Sequence, residues 1–224
     1  MTNYYSNSLN SSRLQKCYAV APDRVKQFLE AEIAFVLDKT TSNDNVLDLG
    51  CGYGRVSTRL LAKAKSIVGI DISKDNIQLA REIAGDAGNI AFYEMNAIDL
   101  KFDDHVFDLV ICIQNGISSF MVDPKNLIQE AIRVTRPQGV ILFSSYSEKF
   151  WEDRLKWFHI QAEHGLIGEI DETLTKNGII VCKDGFRAIT YSGQEFLELA
   201  SGFNVHAQIH EVDNSIVFCE MVVK

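Results

Sequence analysis

The chain has 224 residues, 46% hydrophobic, 10% aromatic and 23% charged, which excludes disordered, collagenous and coiled-coil classes and fits one large globular domain, 1–224. Its 22 basic and 30 acidic residues leave a formal net charge of −8 with no Lys/Arg run, which argues against nucleic acid and for a small-molecule partner. The longest apolar run, 33–37, is far short of the ~18 residues a bilayer-spanning helix needs, so no membrane partner is expected.

The first twelve residues are rich in Asn, Ser and Tyr. With no basic flank and no apolar stretch they read as neither a signal nor a transit peptide, which points to a cytoplasmic protein. Tyr4, Tyr5 and Tyr18 precede the first readable helix, and this arm either folds over a ligand or is disordered. Over 23–37, Val25, Phe28, Leu29 and Val36 recur at helical spacing, which predicts a helix with Asp23 as its N-cap. Short apolar runs at 45–49, 66–70, 90–93, 107–113 and 140–144 then alternate with helical patterns such as 56–64 and 77–84, the rhythm of βαβ units. Asp123 followed by Pro124 is a good helix start, so 124–134 is read as the crossover into the fifth strand.

Beyond Ser147 the rhythm changes. The segment 148–163 reads as one longer helix, and 179–182 and 187–191 read as strands around Asp184-Gly185, so 148–191 is expected to be a cap inserted after the fifth strand. Trp151, Leu155, Phe158 and Ala162 fall on one face of its helix, with Phe150 and Trp157 on the flank. They either pack the cap or line a substrate chamber. Ser192-Gly193-Gln194-Glu195 matches a capping box, so a helix restarts there and runs to about Ser201. Runs at 204–211 and 215–223 have hairpin spacing, which makes the last strand antiparallel.

Cys17, Cys51, Cys112, Cys182 and Cys219 include no CxxC pair and read as reduced, buried thiols. His105, His159, His164, His206 and His210 lack the paired spacing of a metal site, so no metal is expected. Only His159 and His164, in the insertion, are candidates for a base, and no catalytic residue is assigned.

The most informative stretch is Val46-Leu47-Asp48-Leu49-Gly50-Cys51-Gly52-Tyr53-Gly54-Arg55, a buried strand breaking into three alternate glycines. Glycines there permit positive φ and close approach of a ligand. Asp71 ends the next strand 21 residues after Gly50, about where a carboxylate accepts both hydroxyls of an adenosine ribose. Asp48 discriminates further. A carboxylate two residues before the glycine turn repels a pyrophosphate, and Arg55 stands where a dinucleotide fingerprint wants its third Gly. An adenosine with a cationic, amino-acid-like tail satisfies both observations.

With VLDLGCGYG and, over 67–73, IVGIDIS, the chain resembles the class I S-adenosylmethionine-dependent methyltransferases. The resemblance covers roughly 23–144 plus the final helix and hairpin. It implies a Rossmann-like α/β fold with a seven-stranded, mostly parallel sheet, an antiparallel last strand and helices on both faces. It also implies S-adenosyl-L-methionine as cofactor, with Asp48, Gly50, Cys51, Gly52 and Gly54 against the methionyl group, Asp71 on the ribose and Ile72 on the adenine. Asn96, beside Ala97, aligns with the family's acidic residue that accepts from the adenine amino group, and an Asn carbonyl still accepts that bond without the charge. Gln114-Asn115-Gly116 aligns with the active-site floor. No Asn/Asp-Pro-Pro-aromatic turn follows, so the acceptor is expected to be a small molecule. Two other classes stay open, a non-catalytic S-adenosylmethionine-binding or regulatory module and an NAD-dependent oxidoreductase, the second opposed by Asp48 and Arg55.

Overall fold

The computed structural model describes Tyr4 and residues 11–224, so the expectation at Tyr5 lies outside the described residues. Before the sheet the chain forms α1 (Ser11–Ala19) and α2 (Asp23–Lys39). No apolar periodicity announces α1, because Cys17 is its one buried residue and its first turn is polar. In α2 the N-cap is Pro22, without a side-chain hydrogen bond, and Asp23 is the first helical residue. There its charge meets the positive end of the helix dipole rather than capping it.

β1 (Asn45–Leu49) is followed by a 3₁₀ turn at Ser57–Leu60, where a longer helix over 56–64 was expected. The Thr58 hydroxyl donates to the Gly54 carbonyl at 2.8 Å, one of the local bonds that compete with regular helix. β2 (Ser66–Asp71), α3 (Lys74–Ala84), β3 (Ile90–Glu94) and β4 (Phe107–Cys112) continue the alternation. A single-turn α4 (Gly116–Ser119) leads to α5 (Pro124–Val134), where Asp123 accepts from the Lys125 amide as predicted. β5 (Thr135–Tyr146) is longer than the apolar run that announced it.

In the insertion, a 3₁₀ turn (Glu148–Phe150) enters α6 (Trp151–Glu163). β6 (Ile180–Val181) and β7 (Arg187–Ala188) then pair as a separate antiparallel ribbon. α7 (Gly193–Ala200) starts with the full Ser192/Glu195 capping box. β8 (Val205–Val212) and β9 (Ile216–Val223) close the chain as a hairpin, with Asp213 and Asn214 at φ 56° and 50°. Asp and Asn adopt that left-handed backbone at low cost.

The seven-stranded sheet runs β3-β2-β1-β4-β5-β9-β8. β1 to β5 are parallel, and β9 is antiparallel to both of its neighbours. β4 is buried along its whole length because helices cover both faces, which is why the inner strands read as apolar runs rather than alternating ones. One core, including Phe28, Ile33, Leu109, Phe150 and Phe218, lies between the sheet, α2 and the insertion. The other, including Leu47, Val110, Leu127 and Phe196, lies under α5 and α7. Among the described residues no helix is long and apolar enough to cross a membrane, and no group of His, Cys, Asp and Glu is arranged to hold a metal. All five cysteines are free and buried.

Candidate functional site

The strand order reverses between β1 and β4, and open α/β sheets bind ligands at that switch point, outside the carboxyl ends of the strands. Here Gly50 and Gly52 adopt φ of +73° and +55°, and the amides of Gly50 and Cys51 both donate to the Ile70 carbonyl at 2.9 Å. The loop is thereby folded over the end of β2, where Asp71 waits. Asp71 Oδ2 accepts from the Gly52 amide at 3.0 Å, and Oδ1 accepts from the Ser73 amide at 2.8 Å and the Asn76 amide group at 3.3 Å. Burial nonetheless pushes its carboxyl upward, against those three bonds. Oδ2 holds one protein donor, so it keeps acceptor capacity toward the cavity that Asp71 lines.

That cavity is a half-open cleft at the carboxyl end of the sheet. Gly50, Gly52, Asp71, Ile72 and Gln114, all read from the sequence as cofactor contacts, line it. A side pocket of about 370 Å³ adjoins it around Asp48, Cys51, Tyr53 and Arg55. Gly54, Asn96 and Ala97 line neither space. A Cβ on Gly54 would meet the Phe92 ring at 2.9 Å, so this glycine serves close packing of the loop on β3. Asn96 is exposed and its Oδ1 accepts from the Ile98 amide at 3.2 Å, while Ala97 is buried in the core. His159 and His164 line neither space.

Leu14, Gln161 and Phe186 joined the site without having been picked from the sequence, whereas Tyr18, Trp157 and Phe158 had been read as alternatives for covering a ligand or lining a chamber. Leu14 and Tyr18 bring α1 over the glycine loop, and Trp157, Phe158, Gln161 and Phe186 bring the insertion over the other end. The inner face of α6 is Arg154, Trp157, Phe158 and Gln161, rotated from the expected stripe, and Trp151, Leu155 and Ala162 are only half-buried. Glu32 is the least anticipated. It lies 1% exposed on α2, accepting from the Gln114 amide at 2.8 Å and the Ser144 hydroxyl at 2.6 Å through Oε1. An acid four residues beyond Phe28, inside an otherwise apolar face, was the available signal.

Gln114 and Asn115 adopt φ of 56° and 57°, a left-handed backbone that costs about 1–3 kcal/mol at Gln114 and little at Asn115. Glu32 holds the Gln114 backbone, and the Gln114 side chain accepts from Arg55 at 3.1 Å and donates to the Tyr146 hydroxyl at 3.0 Å. Asn115 donates to the Ile189 carbonyl and accepts from the Ser145 hydroxyl, both at 2.8 Å. The floor is therefore rigid before any ligand arrives.

Asp48 and Arg55 line the side pocket, with Asp71 on the adjoining cavity and the buried Glu32 behind them. The Arg55 guanidinium acts on Asp48, is 3.8 Å from Glu32 and lies over the Tyr18 ring at 4.7 Å. Desolvation raises Asp48 to about 6, partly countered by the Ser57 hydroxyl at 2.6 Å and by Arg55. Between its unfolded value of 3.8 and about 6 the folded chain keeps a proton that the unfolded chain has lost. Its favourable term is thus full below pH 4, falls through this window and is gone above pH 6. Asp48→Asn should therefore stabilise the free protein by about 2–3 kcal/mol at pH 7.5 and hardly at all at pH 4. Urea denaturation at the two pH values checks this, and an equal change at both would contradict it.

A family model described as a methyltransferase domain matches residues 40–200. The 2-methyl-6-phytyl-1,4-hydroquinone methyltransferase of Synechocystis sp. is 30% identical over 149 residues, 58% of this chain and 46% of that protein. The ubiquinone biosynthesis O-methyltransferase of Idiomarina loihiensis is 29% identical over 110 residues, 47% of this chain and 44% of the relative. The chain thus spans about half the length of the curated relatives it matches. Among solved structures, a protein from Pyrococcus horikoshii OT3 superposes with TM-score 0.69 at 23% identity, covering 100% of both chains. A SAM-dependent methyltransferase from Methanosarcina mazei gives 0.63 at 22% identity over 84% of this chain and 97% of its own. At these identities the two structures establish the fold.

Proposed function

We propose that this chain, which belongs to the methyltransferase domain family of class I S-adenosyl-L-methionine-dependent enzymes, transfers a methyl group to a neutral, quinol-like small molecule. The observation that carries the reading is the charge of the glycine-loop end: buried Asp48 and Glu32 act with Arg55 there and Asp71 adds negative charge beside Asp48, a balance that suits a cationic tail and repels a pyrophosphate. The residues present fit the cofactor. Asp71 keeps acceptor capacity for ribose hydroxyls, Ile72 is placed for the adenine, and Asp48 with Gly50, Cys51 and Gly52 takes the methionyl ammonium and carboxylate. Asn96 and Ala97 stand outside the cavity, so we leave them out of the contact set.

When bound, S-adenosyl-L-methionine supplies an electrophilic methyl on a sulfonium leaving group. The chain's own contribution is alignment and exclusion of water. Asp71 is the one charged side chain lining the main cavity among the described residues, and it is tied by three hydrogen bonds. The acceptor is therefore an electron-rich ring whose proton, released as the methyl bonds to it, passes to water rather than to a protein base. The hydroquinone and ubiquinone names of the relatives agree with such an electron-rich ring. The net charge of −8 supports a small molecule over nucleic acid, and five unpaired thiols support a reducing, cytoplasmic setting.

Calorimetric titration is expected to show S-adenosyl-L-methionine and S-adenosylhomocysteine binding with similar affinity and NAD not binding. Incubation with 1,4-hydroquinones should then release S-adenosylhomocysteine and a methylated ring. Tight binding of NAD without response to either adenosyl ligand would end this reading.

A further inference from the structure

The cavity wall above the glycine loop is apolar and aromatic. Ile113, Phe120, Trp157, Phe158 and Phe186 form it, and it is broken by one buried amide, Gln161 on α6. The other amide and indole groups on the wall are already committed. The Gln114 side chain is held between Arg55 and the Tyr146 hydroxyl. The Asn76 amide donates to Asp71 and accepts from the Ser11 amide at 2.6 Å. The Trp157 indole donates to the Cys17 carbonyl at 2.9 Å.

Gln161 is different. It is 3% exposed, yet its side-chain amide makes no hydrogen bond to any described residue, and it is absent from the polar atoms sealed in the interior without a partner. The little accessible area left to it is therefore where the amide meets the cavity. A buried amide without a partner is costly, and the cost is recovered when a ligand supplies one. Its carbonyl accepts from a hydroxyl and its NH₂ donates to a hydroxyl or carbonyl oxygen. Arg154, on the same inner face of α6, lies over the Tyr146 ring at 4.3 Å and the Phe158 ring at 5.5 Å. That buried positive charge behind the aromatic wall favours an oxygen carrying partial negative charge.

We propose that Gln161 is the specificity determinant of the acceptor site: it reads a ring oxygen, so the pocket selects flat, neutral aromatic rings bearing a hydroxyl or carbonyl group. The proposal rests on the methyl-transfer reading for the word acceptor, and its test is chosen to be independent of turnover. An anionic acceptor is disfavoured because no cationic side chain lines the cavity among the described residues.

The test uses the full chain saturated with S-adenosylhomocysteine and two probes of the same shape, 1,4-hydroquinone and para-xylene, in which methyl groups replace the hydroxyls. NMR titration should show the wild-type protein preferring hydroquinone by at least about tenfold, the order expected of one satisfied hydrogen bond. In Gln161→Leu that preference should vanish, with hydroquinone about tenfold weaker and para-xylene at least as tight. Affinity for S-adenosylhomocysteine should be unchanged and thermal stability undiminished, because an apolar side chain suits the buried position. A wild-type protein that fails to distinguish hydroquinone from para-xylene, or a Leu variant that keeps the preference, overturns the proposal. Failure of the adenosyl ligand to bind strikes the methyl-transfer reading instead.

Discussion

Asp71→Ala is expected to weaken S-adenosyl-L-methionine binding by about a hundredfold and, at the same time, to lower the stability of the free protein. Hydrogen bonds to a charged acceptor contribute roughly 1.5–3 kcal/mol each, so losing the ribose contacts alone accounts for at least tenfold. The remainder comes from the loop, since Asp71 also holds the Gly52 amide, the Ser73 amide and the Asn76 side chain. From sequence alone the residue reads as a ligand contact, and these three bonds add a structural share to its role. The destabilisation is limited to about 1–2 kcal/mol because removing the carboxylate also removes a desolvated charge, and water enters the vacated cavity wall. Calorimetry with urea denaturation separates the two effects. Unchanged affinity in the folded fraction would make Asp71 structural only.

Replacing 148–191 by a short Gly/Ser linker is expected to abolish the native fold. The sequence presented this segment as a removable cap, but its aromatic residues belong to the same core as α1 and α2. Phe150 stacks on Phe28 with ring centroids 5.0 Å apart, Trp157 donates to the Cys17 carbonyl, and Arg13 reaches the Gly165 and Leu166 carbonyls at 2.7 and 3.0 Å. Removing the segment uncovers Cys17, Phe28 and Tyr146, which are at most 6% exposed. At about 1.5–3 kcal/mol for each large apolar side chain, that loss rivals the whole stability of an ordinary domain, roughly 5–15 kcal/mol. Circular dichroism and a urea titration test it. A cooperative transition near that of the intact chain would show the insertion to be an independent cap after all.

Sequence and structure agree where local chemistry decides the matter alone. The Asp123-Pro124 start, the Ser192/Glu195 capping box and the glycine turn after β1 each carry their partners within a few residues. The inner strands were legible because burial on both faces makes them uniformly apolar. The inner face of α6 was not, because two of its four members are Arg154 and Gln161. A count of apolar residues rotates the stripe away from them, and polar residues are placed inward only where a cavity or a distant carbonyl receives them. Helix α1 escaped for the same reason: it is held by distant contacts, such as the Ser11 amide on Asn76 and the indole of Trp157 on Cys17, rather than by its own periodicity. Glu32 serves Gln114, which lies 82 residues away, and no local pattern encodes such a partnership.

The burial of all five thiols governs how the chain meets oxidants. Burial raises Cys17, Cys182 and Cys219 to about 12 and puts Cys51 and Cys112 well above their ordinary value. The thiolate is the reactive species, so attack at neutral pH waits for the surrounding structure to open, and the rate of modification becomes a clock for that opening. Cys17 sits on α1, at the edge of the fold, while Cys112 and Cys219 lie within β4 and β9 in the middle of the sheet. The first exchanges its protection through a local event. The other two surrender theirs only when the sheet itself comes apart.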